Sequence, residues 1–352
     1  MTSNIEASSP AQLAAWQTGG IPEVERVQDG LWSIPVPIPA NPLRYVLVYA
    51  LELDDGVAIV DAGWDAEEAW SGLTVGLKTA GFDVSDVRAV LVTHVHPDHY
   101  GLAGRVREAS GAWIGLHPAD AGLLEARYEN VDPLVDDTMN FLRLSGVPHD
   151  EARRLAGASL EIRKFVDQAR PDRLFEDGQL LDLPGWNLQV VWTPGHSPGH
   201  VCFLDSDRRI LLAGDHVLPG ITPNISIHPQ QPGNPLAQFL EALSRVGAMD
   251  VDEVLSAHEY RFHGLAARVE ALIQHHHDRM DEIEALVRQH PGQSCWDLTQ
   301  MLTWSVPWSE IRGFQRRAAT GETLAHLVVL EVAGRVARVQ GDPVRWIVAA
   351  DR

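Results

Sequence analysis

Four short apolar runs of this chain each end directly in a histidine or an aspartate. The runs AVLVT, LQVVWTPG, ILLAG and DEVLSA are followed by His94, His196, Asp215 and His258. Short apolar runs between turn residues are typical of buried β-strands. Because a rigid sheet holds the side chains at its strand ends in place, the pattern predicts an α/β fold whose site is assembled at these four points.

The densest of these clusters is LVTHVHPDHYG, which places three histidines and an aspartate within six residues. His94 and His96 lie on one side of an extended segment, whereas Asp98 and His99 follow in a turn that Pro97 favours. Imidazole and carboxylate groups are common ligands of divalent metals. One motif can therefore supply ligands to two metal ions.

The motifs THVHPDH, TPGHSPGH, AGDH and SAHEY occur in this order in the chain. They resemble the signature motifs of the metallo-β-lactamase superfamily, and specifically of its hydroxyacylglutathione hydrolase (glyoxalase II)-like branch. The resemblance covers about residues 28–260. It implies a four-layer αββα sandwich that holds two zinc ions, with iron or manganese as alternatives.

The resemblance also divides seven residues between two metals that share a bridging carboxylate. The implied ligands are His94, His96 and His196 for the first metal, Asp98, His99 and His258 for the second, and Asp215 as the bridge. Asp61, in IVDAG, resembles a position that supports such a site from outside, although capping of the next helix is an equally good interpretation.

Two adjacent cations change the chemistry of a shared water. They lower its pKa from about 16 towards 7, which supplies a hydroxide nucleophile at neutral pH. The cations also polarise the carbonyl of the substrate and receive the leaving oxygen or sulfur. We predict a dinuclear hydrolase of a carboxylic ester, thioester or lactone, in which Asp98 orients the hydroxide.

The pattern of apolar and polar residues divides the chain into three parts. Residues 1–20 are small and polar, which predicts a flexible arm. Residues 21–265 are predicted to form the catalytic domain, with a helical insertion at about 118–178 where helical periodicity replaces strand runs. Residues 266–352 show a helix-then-hairpin pattern, which suggests a small winged-helix-like region.

Composition excludes several classes of partner. Twenty-eight Lys and Arg stand against 48 Asp and Glu, and the resulting charge of −20 disfavours nucleic acid and anionic membranes. Cys202 and Cys295 lie far apart and are expected to be buried free thiols. We expect a cytoplasmic enzyme with a small-molecule substrate. The C-terminal region could also serve in packing or in a homodimer.

Three residues are predicted to contact the substrate. Tyr260 matches a tyrosine that contacts glutathione in the glyoxalase II family, and Asn224 lies in the uncharged segment TPNIS after the bridging aspartate. Phe141 belongs to an apolar stripe of the insertion. One interpretation is that this stripe packs on the parent domain, and the other is that it forms a hydrophobic lid that binds an apolar acyl group and disfavours a polyanion.

Two other activities compete with the hydrolase. A ribonuclease of the same superfamily is one alternative, to which the winged-helix-like pattern points and against which the acidic charge argues. The other is a mononuclear iron sulfur dioxygenase, which would use only ligands of the His94, His196 and Asp215 type. The number of metal ions per chain distinguishes these activities, because the dioxygenase needs one iron and the hydrolase needs two metal ions.

Several other histidines have simpler interpretations. His200 follows a predicted ligand by four residues and starts a strand, which favours a structural role over direct ligation. The run His275–His277 lies within a helical pattern and is expected to be solvated.

Overall fold

Sixteen β-strands form two large sheets and one small sheet in residues 5–129, 132–162 and 169–350, which this computed structural model describes. The strands are β1 Glu6–Ala7, β2 Glu25–Gln28, β3 Leu31–Pro37, β4 Tyr45–Leu53, β5 Gly56–Val60, β6 Val87–Leu91, β7 Trp113–Leu116, β8 Arg173–Leu174, β9 Leu188–Trp192, β10 Val201–Asp205, β11 Ile210–Gly214, β12 Glu253–Ser256, β13 Phe262–His263, β14 Gln293–Ser294, β15 Val336–Val339 and β16 Arg345–Val348.

Helices cover the outer faces of the large sheets. In the described residues they are α1 Pro10–Thr18, α2 Glu67–Ala80, α3 Pro97–Tyr100, α4 Ala103–Ser110, α5 Pro118–Ala121, α6 Asp132–Leu144, α7 His149–Ile162, α8 Pro235–Gly247, α9 Leu265–Gln289, α10 Cys295–Met301 and α11 Phe314–Val332. A π-helical segment, Glu125–Glu129, lies between α5 and α6.

The topology of the two sheets brings the motif-bearing strand ends together. The first sheet has the order β2-β3-β4-β5-β6-β7-β8, and the second has the order β1-β13-β12-β11-β10-β9. β5, β6 and β7 run parallel to one another, as do β11 and β12. Because the carboxyl ends of parallel neighbours lie at one edge of a sheet, the residues after β11 and β12 lie side by side.

The burial pattern of β4 shows how the layers are formed. Every residue of this strand except Glu52 is buried. Leu47 and Tyr49 pack between the two sheets, whereas the alternating Val46 and Val48 pack under the helices outside the first sheet. A strand covered on both faces is apolar throughout, which explains why the run shows no polar alternation.

Three core clusters separate the four layers. Leu73 of α2 packs on the outer face of the first sheet. Phe203 and Leu212 meet the first sheet in the cluster between the sheets. Phe239 of α8 and Leu272 of α9 cover the outer face of the second sheet. The order is therefore helix, sheet, sheet, helix, as the sequence predicted.

The prediction of a flexible arm over residues 1–20 is wrong for the part that the structure describes, residues 5–20. Strand β1 pairs with β13, and Ser9 caps α1 by accepting a hydrogen bond from Gln12 N. The buried Gln12 side chain bonds Ser33 and the backbone of Arg261. Ser9 followed by Pro10 was a helix-start signal that the small, polar composition concealed. Residues 1–4 lie outside the described residues.

The predicted insertion is helical where it is described. It comprises α5, the π-helical segment, α6 and α7, whereas 130–131 and 163–168 lie outside the described residues. Its predicted end at about 178 is too late, because β8 already pairs with β7 of the first sheet. Leu142 of α6 packs with Trp296 of α10, so the insertion also contacts the C-terminal region.

The C-terminal region contains helices followed by a hairpin, as the sequence pattern indicated. Its small sheet has the order β14-β16-β15. Ala325 of α11 packs in the same cluster as Phe239 and Val254, so α11 is part of the outer helical layer. The winged-helix-like character remains an interpretation. None of the described helices is both long and apolar enough to cross a membrane.

Candidate metal centre

Seven histidine and aspartate side chains from four strand ends converge at one edge of the sandwich. The potential ligand atoms lie within 4.8 Å of one another in each of three groups, which are His94, His96 and His196; Asp98, His99 and His258; and His94, His99 and Asp215. The first two groups match the two ligand sets that the sequence resemblance implied.

Local structure explains how one short motif serves both groups. His94 lies in the segment after β6, and His96 is the N-cap of the short helix α3. Pro97 occupies the first position of that helix, where its fixed φ favours the turn. Asp98 and His99 therefore lie on the helical turn, where both group with His258, and His99 also lies near His94 and Asp215.

Asp215 lies between the two groups. Its Oδ2 is 3.3 Å from His196 Nε2. Its Oδ1 is 3.3 Å from His258 Nε2 and 3.6 Å from His99 Nε2. The two oxygens of one carboxylate thus face different groups, which is the placement that a bridging ligand requires.

The donor atoms at this point fit divalent cations. Among the described residues, the buried atoms without a hydrogen-bond partner include His99 Nε2, His196 Nε2, His258 Nε2 and Asp215 Oδ1. Leaving several buried polar atoms unpaired at one point is costly unless a ligand satisfies them. Imidazole nitrogens and carboxylate oxygens together are ligands that zinc, iron and manganese accept.

The outward-facing ring nitrogens of four histidines contact fixed polar groups. The contacts are His94 Nδ1 with Thr93 Oγ1 at 3.0 Å, His99 Nδ1 with Asp61 Oδ2 at 2.7 Å, His196 Nδ1 with the Asn224 carbonyl at 3.1 Å and His258 Nδ1 with the Tyr45 carbonyl at 3.0 Å. Where the acceptor is a carbonyl or a carboxylate, the outer nitrogen carries the proton. When the ring is neutral, the inner nitrogen then presents its lone pair to the site.

The electrostatic environment differs between the two groups. Burial and the neighbouring imidazoles hold the pKa of His94 well below its usual value, so its ring is neutral, which is the form that binds metal. Burial lowers the pKa of His99, but the carboxylates of Asp61 and Asp215 oppose this effect, and the pKa is raised well above its usual value. The second group is therefore the more strongly anionic environment.

Asp61 supports the site and does not cap the next helix. Its Oδ1 accepts a hydrogen bond from Thr93 N at 2.8 Å, while its Oδ2 accepts from His99 Nδ1. The N-cap of α2 is Ala66. Asp61 also has a φ of 63°, an uncommon backbone conformation for a residue with a side chain. Of the two interpretations of the sequence, these hydrogen bonds agree with the supporting role and not with helix capping.

His200 has a structural role, as its spacing indicated. Its Nδ1 lies 2.8 Å from Thr193 Oγ1, and its Nε2 accepts a hydrogen bond from Asp215 N at 3.1 Å. Both ring nitrogens are engaged in these contacts. A Cβ on Gly214 would lie 2.7 Å from His200 Nε2, so this approach requires glycine.

Asp120 is a buried residue of the site that the sequence analysis missed. Its Oδ2 accepts hydrogen bonds from Val95 N at 2.9 Å and Ser197 Oγ at 2.7 Å, and its Oδ1 accepts from Gly199 N at 2.6 Å. It therefore connects the loop after β6 to the loop after β9. No local signal marks it, because its partners are 25 to 79 residues away.

Replacing Asp120 with alanine is expected to lower the free energy of unfolding by about 3 kcal/mol, because three buried donors lose their acceptor. The ligand histidines of both loops should also bind metal less tightly. Denaturant unfolding and metal analysis measure these effects. The exposed Asp182, changed to alanine, is the control. Unfolding curves that coincide for both variants would show that Asp120 does not join the loops.

A cavity of about 440 Å³ opens above the cluster. Its wall includes the candidate ligands His96, Asp98, His196 and Asp215. Phe141 and Asn224, two of the predicted substrate contacts, also line it. The described residues that form the wall do not include Tyr260, which packs at the edge of the cluster containing Phe262. The prediction of Tyr260 as a substrate contact therefore does not agree with this cavity.

The C-terminal region holds the loop that carries Asn224. Asn224 Nδ2 donates to Glu322 Oε2 of α11 at 2.9 Å, and Ile227 N donates to the Gly321 carbonyl at 3.1 Å. The Asn224 carbonyl in turn accepts from His196 Nδ1. Helix α11 thus helps to position a candidate metal ligand, which the division of the sequence into separate regions did not predict.

A family comparison agrees with this geometry. The model of the metallo-β-lactamase superfamily matches residues 41–258. The chain belongs to the metallo-β-lactamase superfamily. The match ends at His258, the last of the seven clustered residues, and the predicted family and fold class are confirmed.

Superfamily relatives include known and probable hydrolases. The probable metallo-hydrolase YqjP of Bacillus subtilis is 25% identical over 85% of this chain and 91% of its own length. The hydroxyacylglutathione hydrolase GloC of Haemophilus influenzae is 27% identical over 47% of this chain and 64% of its own. The acyl-coenzyme A thioesterase MBLAC2 of Homo sapiens is 32% identical over 37% and 41%, respectively.

A solved structure of the superfamily extends the similarity beyond the matched domain. The metallo-β-lactamase family protein TTHA1429 from Thermus thermophilus superimposes with a TM-score of 0.79 at 31% identity. The similarity covers 92% of this chain and all of that protein. The insertion and the C-terminal region are therefore largely shared with a superfamily member.

Proposed function

We propose that this superfamily member is a dinuclear metal-dependent hydrolase of a carboxylic ester, thioester or lactone. The observation that carries the proposal is Asp215, whose two oxygens face two different groups of three potential ligands. Two zinc ions are the proposed cofactors, with iron or manganese as alternatives. When bound, the ions supply an activated water and polarise the scissile carbonyl.

The residues of the chain have separable roles in this proposal. His94, His96 and His196 form one ligand set, and Asp98, His99 and His258 form the other. Asp98 also lines the cavity. Burial opposes its ionisation, but His99 and His258 lower its pKa, so Asp98 remains a carboxylate that can accept a hydrogen bond from the hydroxide and orient it.

The second ligand group supports this proposal over a mononuclear dioxygenase. A single iron would need only residues such as His94, His196 and Asp215. In this chain Asp98, His99 and His258 also converge, with Asp98 Oδ2 3.4 Å from His258 Nε2. A one-metal site would leave these three convergent side chains without a metal ion.

Hydrolysis is tested with a panel of acyl esters, lactones, CoA and glutathione thioesters, and RNA. The proposal expects cleavage of an ester, thioester or lactone that chelators abolish and added divalent metal restores. Cleavage of RNA faster than of every ester would favour the ribonuclease, and oxygen consumption with a persulfide would favour the dioxygenase.

Phe141 is proposed to contact the acyl portion of the substrate. Replacing it with alanine is expected to raise KM for a hexanoyl ester by about tenfold, because a buried aromatic contact is lost. The KM for the acetyl ester should change by less than about twofold, because the acetyl group is too short to contact Phe141. Steady-state kinetics on both esters make the comparison.

The exposed Leu180, changed to alanine, is the control for Phe141. It should leave both esters unaffected. A parallel loss of activity on the two esters in Phe141→Ala, with unchanged metal content, would refute the contact.

A further inference from the structure

Two arginines from different parts of the chain line the cavity above the candidate metal centre. Arg127 belongs to the π-helical segment of the insertion, and Arg317 belongs to α11 of the C-terminal region. They share the cavity wall with His96, His196 and Asp215. The chain carries a net charge of −20, so two arginines in the wall of one cavity are opposite in sign to the overall charge.

Arg127 forms no ion pair within the described part of the chain. Its charge acts from a greater distance on the buried Asp120, whose pKa it lowers against the larger effect of burial, and its guanidinium lies 6.0 Å from the centre of the Tyr128 ring. Arg261, by contrast, is paired with both Glu25 and Glu253. Burying part of a guanidinium that has no carboxylate in direct contact is costly, and the cost falls when an anion binds to it.

Arg317 lies close enough to Arg127 for the two charges to interact. Burial and the charge of Arg127 lower the pKa of Arg317 to about 10, so it remains a cation at neutral pH. Its guanidinium lies 4.8 Å from the centre of the Phe314 ring, which also lines the cavity. The two like charges repel each other, and an anion that contacts both would weaken that repulsion.

The neighbouring histidine contributes no further charge. His228 lines the same cavity, and burial together with Arg127 and Arg317 lowers its pKa to about 3. It is therefore neutral near pH 7 and can only accept or donate a hydrogen bond. The positive charge of this part of the wall thus comes from the two guanidinium groups, which bind carboxylate and phosphate oxygens well.

We propose that Arg127 and Arg317 form an anion subsite. It binds a carboxylate or phosphate group of the substrate while the scissile carbonyl lies at the histidine–aspartate cluster. This inference rests on the proposed function and narrows its substrate to esters or thioesters that carry a carboxylate or phosphate group. A cavity of about 440 Å³ holds both ends of one small molecule. The proposed subsite differs from the sequence-based expectation of a hydrophobic lid that disfavours a polyanion, because the cavity wall contains Arg127 and Arg317 beside Phe141.

Binding of two matched acids tests the subsite without catalysis. Glutarate and pentanoate each offer one carboxylate to the metals, and only glutarate has a second for the arginines. Calorimetry on the metal-loaded protein is expected to show glutarate binding about tenfold more tightly than pentanoate, because a guanidinium pair strengthens the carboxylate contact. Arg127→Gln and Arg317→Gln should each remove most of that preference.

The control is Arg26→Gln, which removes an exposed arginine paired with Asp29 at a distance of 2.8 Å. It should keep the full preference for glutarate. Thermal melts establish that each variant is folded, and the two cavity variants provide independent tests. Equal binding of glutarate and pentanoate by the native protein, or an undiminished preference in both cavity variants, would overturn the subsite.

Kinetic comparisons then locate the anion within the substrate. A glutaryl ester and a pentanoyl ester differ by a carboxylate on the acyl group, so their comparison tests for an anion in the acyl half of the substrate. An acyl-CoA and the N-acetylcysteamine thioester of the same acyl group differ by the phosphates of CoA, so their comparison tests for an anion in the leaving group. Arg127→Gln should raise KM for the charged member of one pair by about tenfold and leave the neutral member unchanged. Equal effects on both members of both pairs would contradict the subsite.

The outcomes separate this inference from the proposed function. If no ester, thioester or lactone is hydrolysed but glutarate is preferred through Arg127, the hydrolase proposal fails and the subsite stands. If esters are hydrolysed but glutarate and pentanoate bind equally, the hydrolase proposal stands and the subsite is refuted.

Discussion

Replacing Asp215 with alanine is expected to abolish hydrolysis and to lower the metal content of the purified protein. The two carboxylate oxygens of Asp215 lie 3.3 Å from His196 Nε2 and His258 Nε2, so the change removes a ligand from both groups at once. The loss of metal affinity should exceed the roughly 10–100-fold that follows the loss of an outer supporting residue. Elemental analysis and steady-state kinetics on the same preparation measure both effects.

The matched control for Asp215 is Asp182→Ala, which removes an exposed carboxylate away from the cluster. It should retain the activity and metal content of the native protein. An Asp215→Ala protein that keeps its full metal content and turns over at the native rate would show that the ligand assignment is wrong.

Replacing Asp61 with alanine is expected to weaken both the fold and the metal site. The change leaves Thr93 N and His99 Nδ1 without their buried acceptor. Loss of one partner in such a buried network lowers the free energy of unfolding by about 3–5 kcal/mol. Loss of the outer partner of a ligating histidine lowers metal affinity by roughly 10–100-fold. Denaturant unfolding of metal-free protein gives the first quantity, and competition with a metal indicator gives the second.

Asp61→Asn provides the conservative comparison. Its amide oxygen can still accept a hydrogen bond from Thr93 N, while the charge opposite His99 is lost. It should therefore retain more stability than Asp61→Ala, while its metal affinity remains below that of the native protein. Native metal affinity in both variants would show that Asp61 does not act through His99.

The clustered ligands could be predicted from sequence because they occur in short motifs at strand ends. His94, His96, Asp98 and His99 fall within six residues, so their spacing alone indicates a shared site. The apolar run before each motif predicts the strand that fixes its position. In such a case local sequence carries nearly all of the geometric information.

The two arginines in the wall of the cavity could not be predicted in this way. Arg127 and Arg317 are separated by 190 residues and meet only because the insertion and α11 both cover the cluster. Neither lies in a motif, and each taken alone is typical of a solvated arginine. Their juxtaposition depends on long-range packing, for which the sequence offers no local pattern.

The histidine run shows the same limit. The sequence predicted that His275–His277 are solvated, and His277 is exposed, but His276 is buried. Its Nδ1 lies 3.0 Å from His326 Nε2 of α11, and its ring packs against Phe239 of α8. The helical pattern of α9 showed that the three rings point in different directions, but not which face other helices cover.

Counting metal ions during reconstitution tests the central claim of two ligand groups joined by Asp215. Metal-free protein is titrated with zinc, manganese or ferrous iron, and bound metal and ester hydrolysis are followed together. The account predicts that activity reaches its maximum at two ions per chain, and that His258→Ala binds one ion and remains inactive. Full activity with one ion per chain, unchanged in His258→Ala, would contradict it.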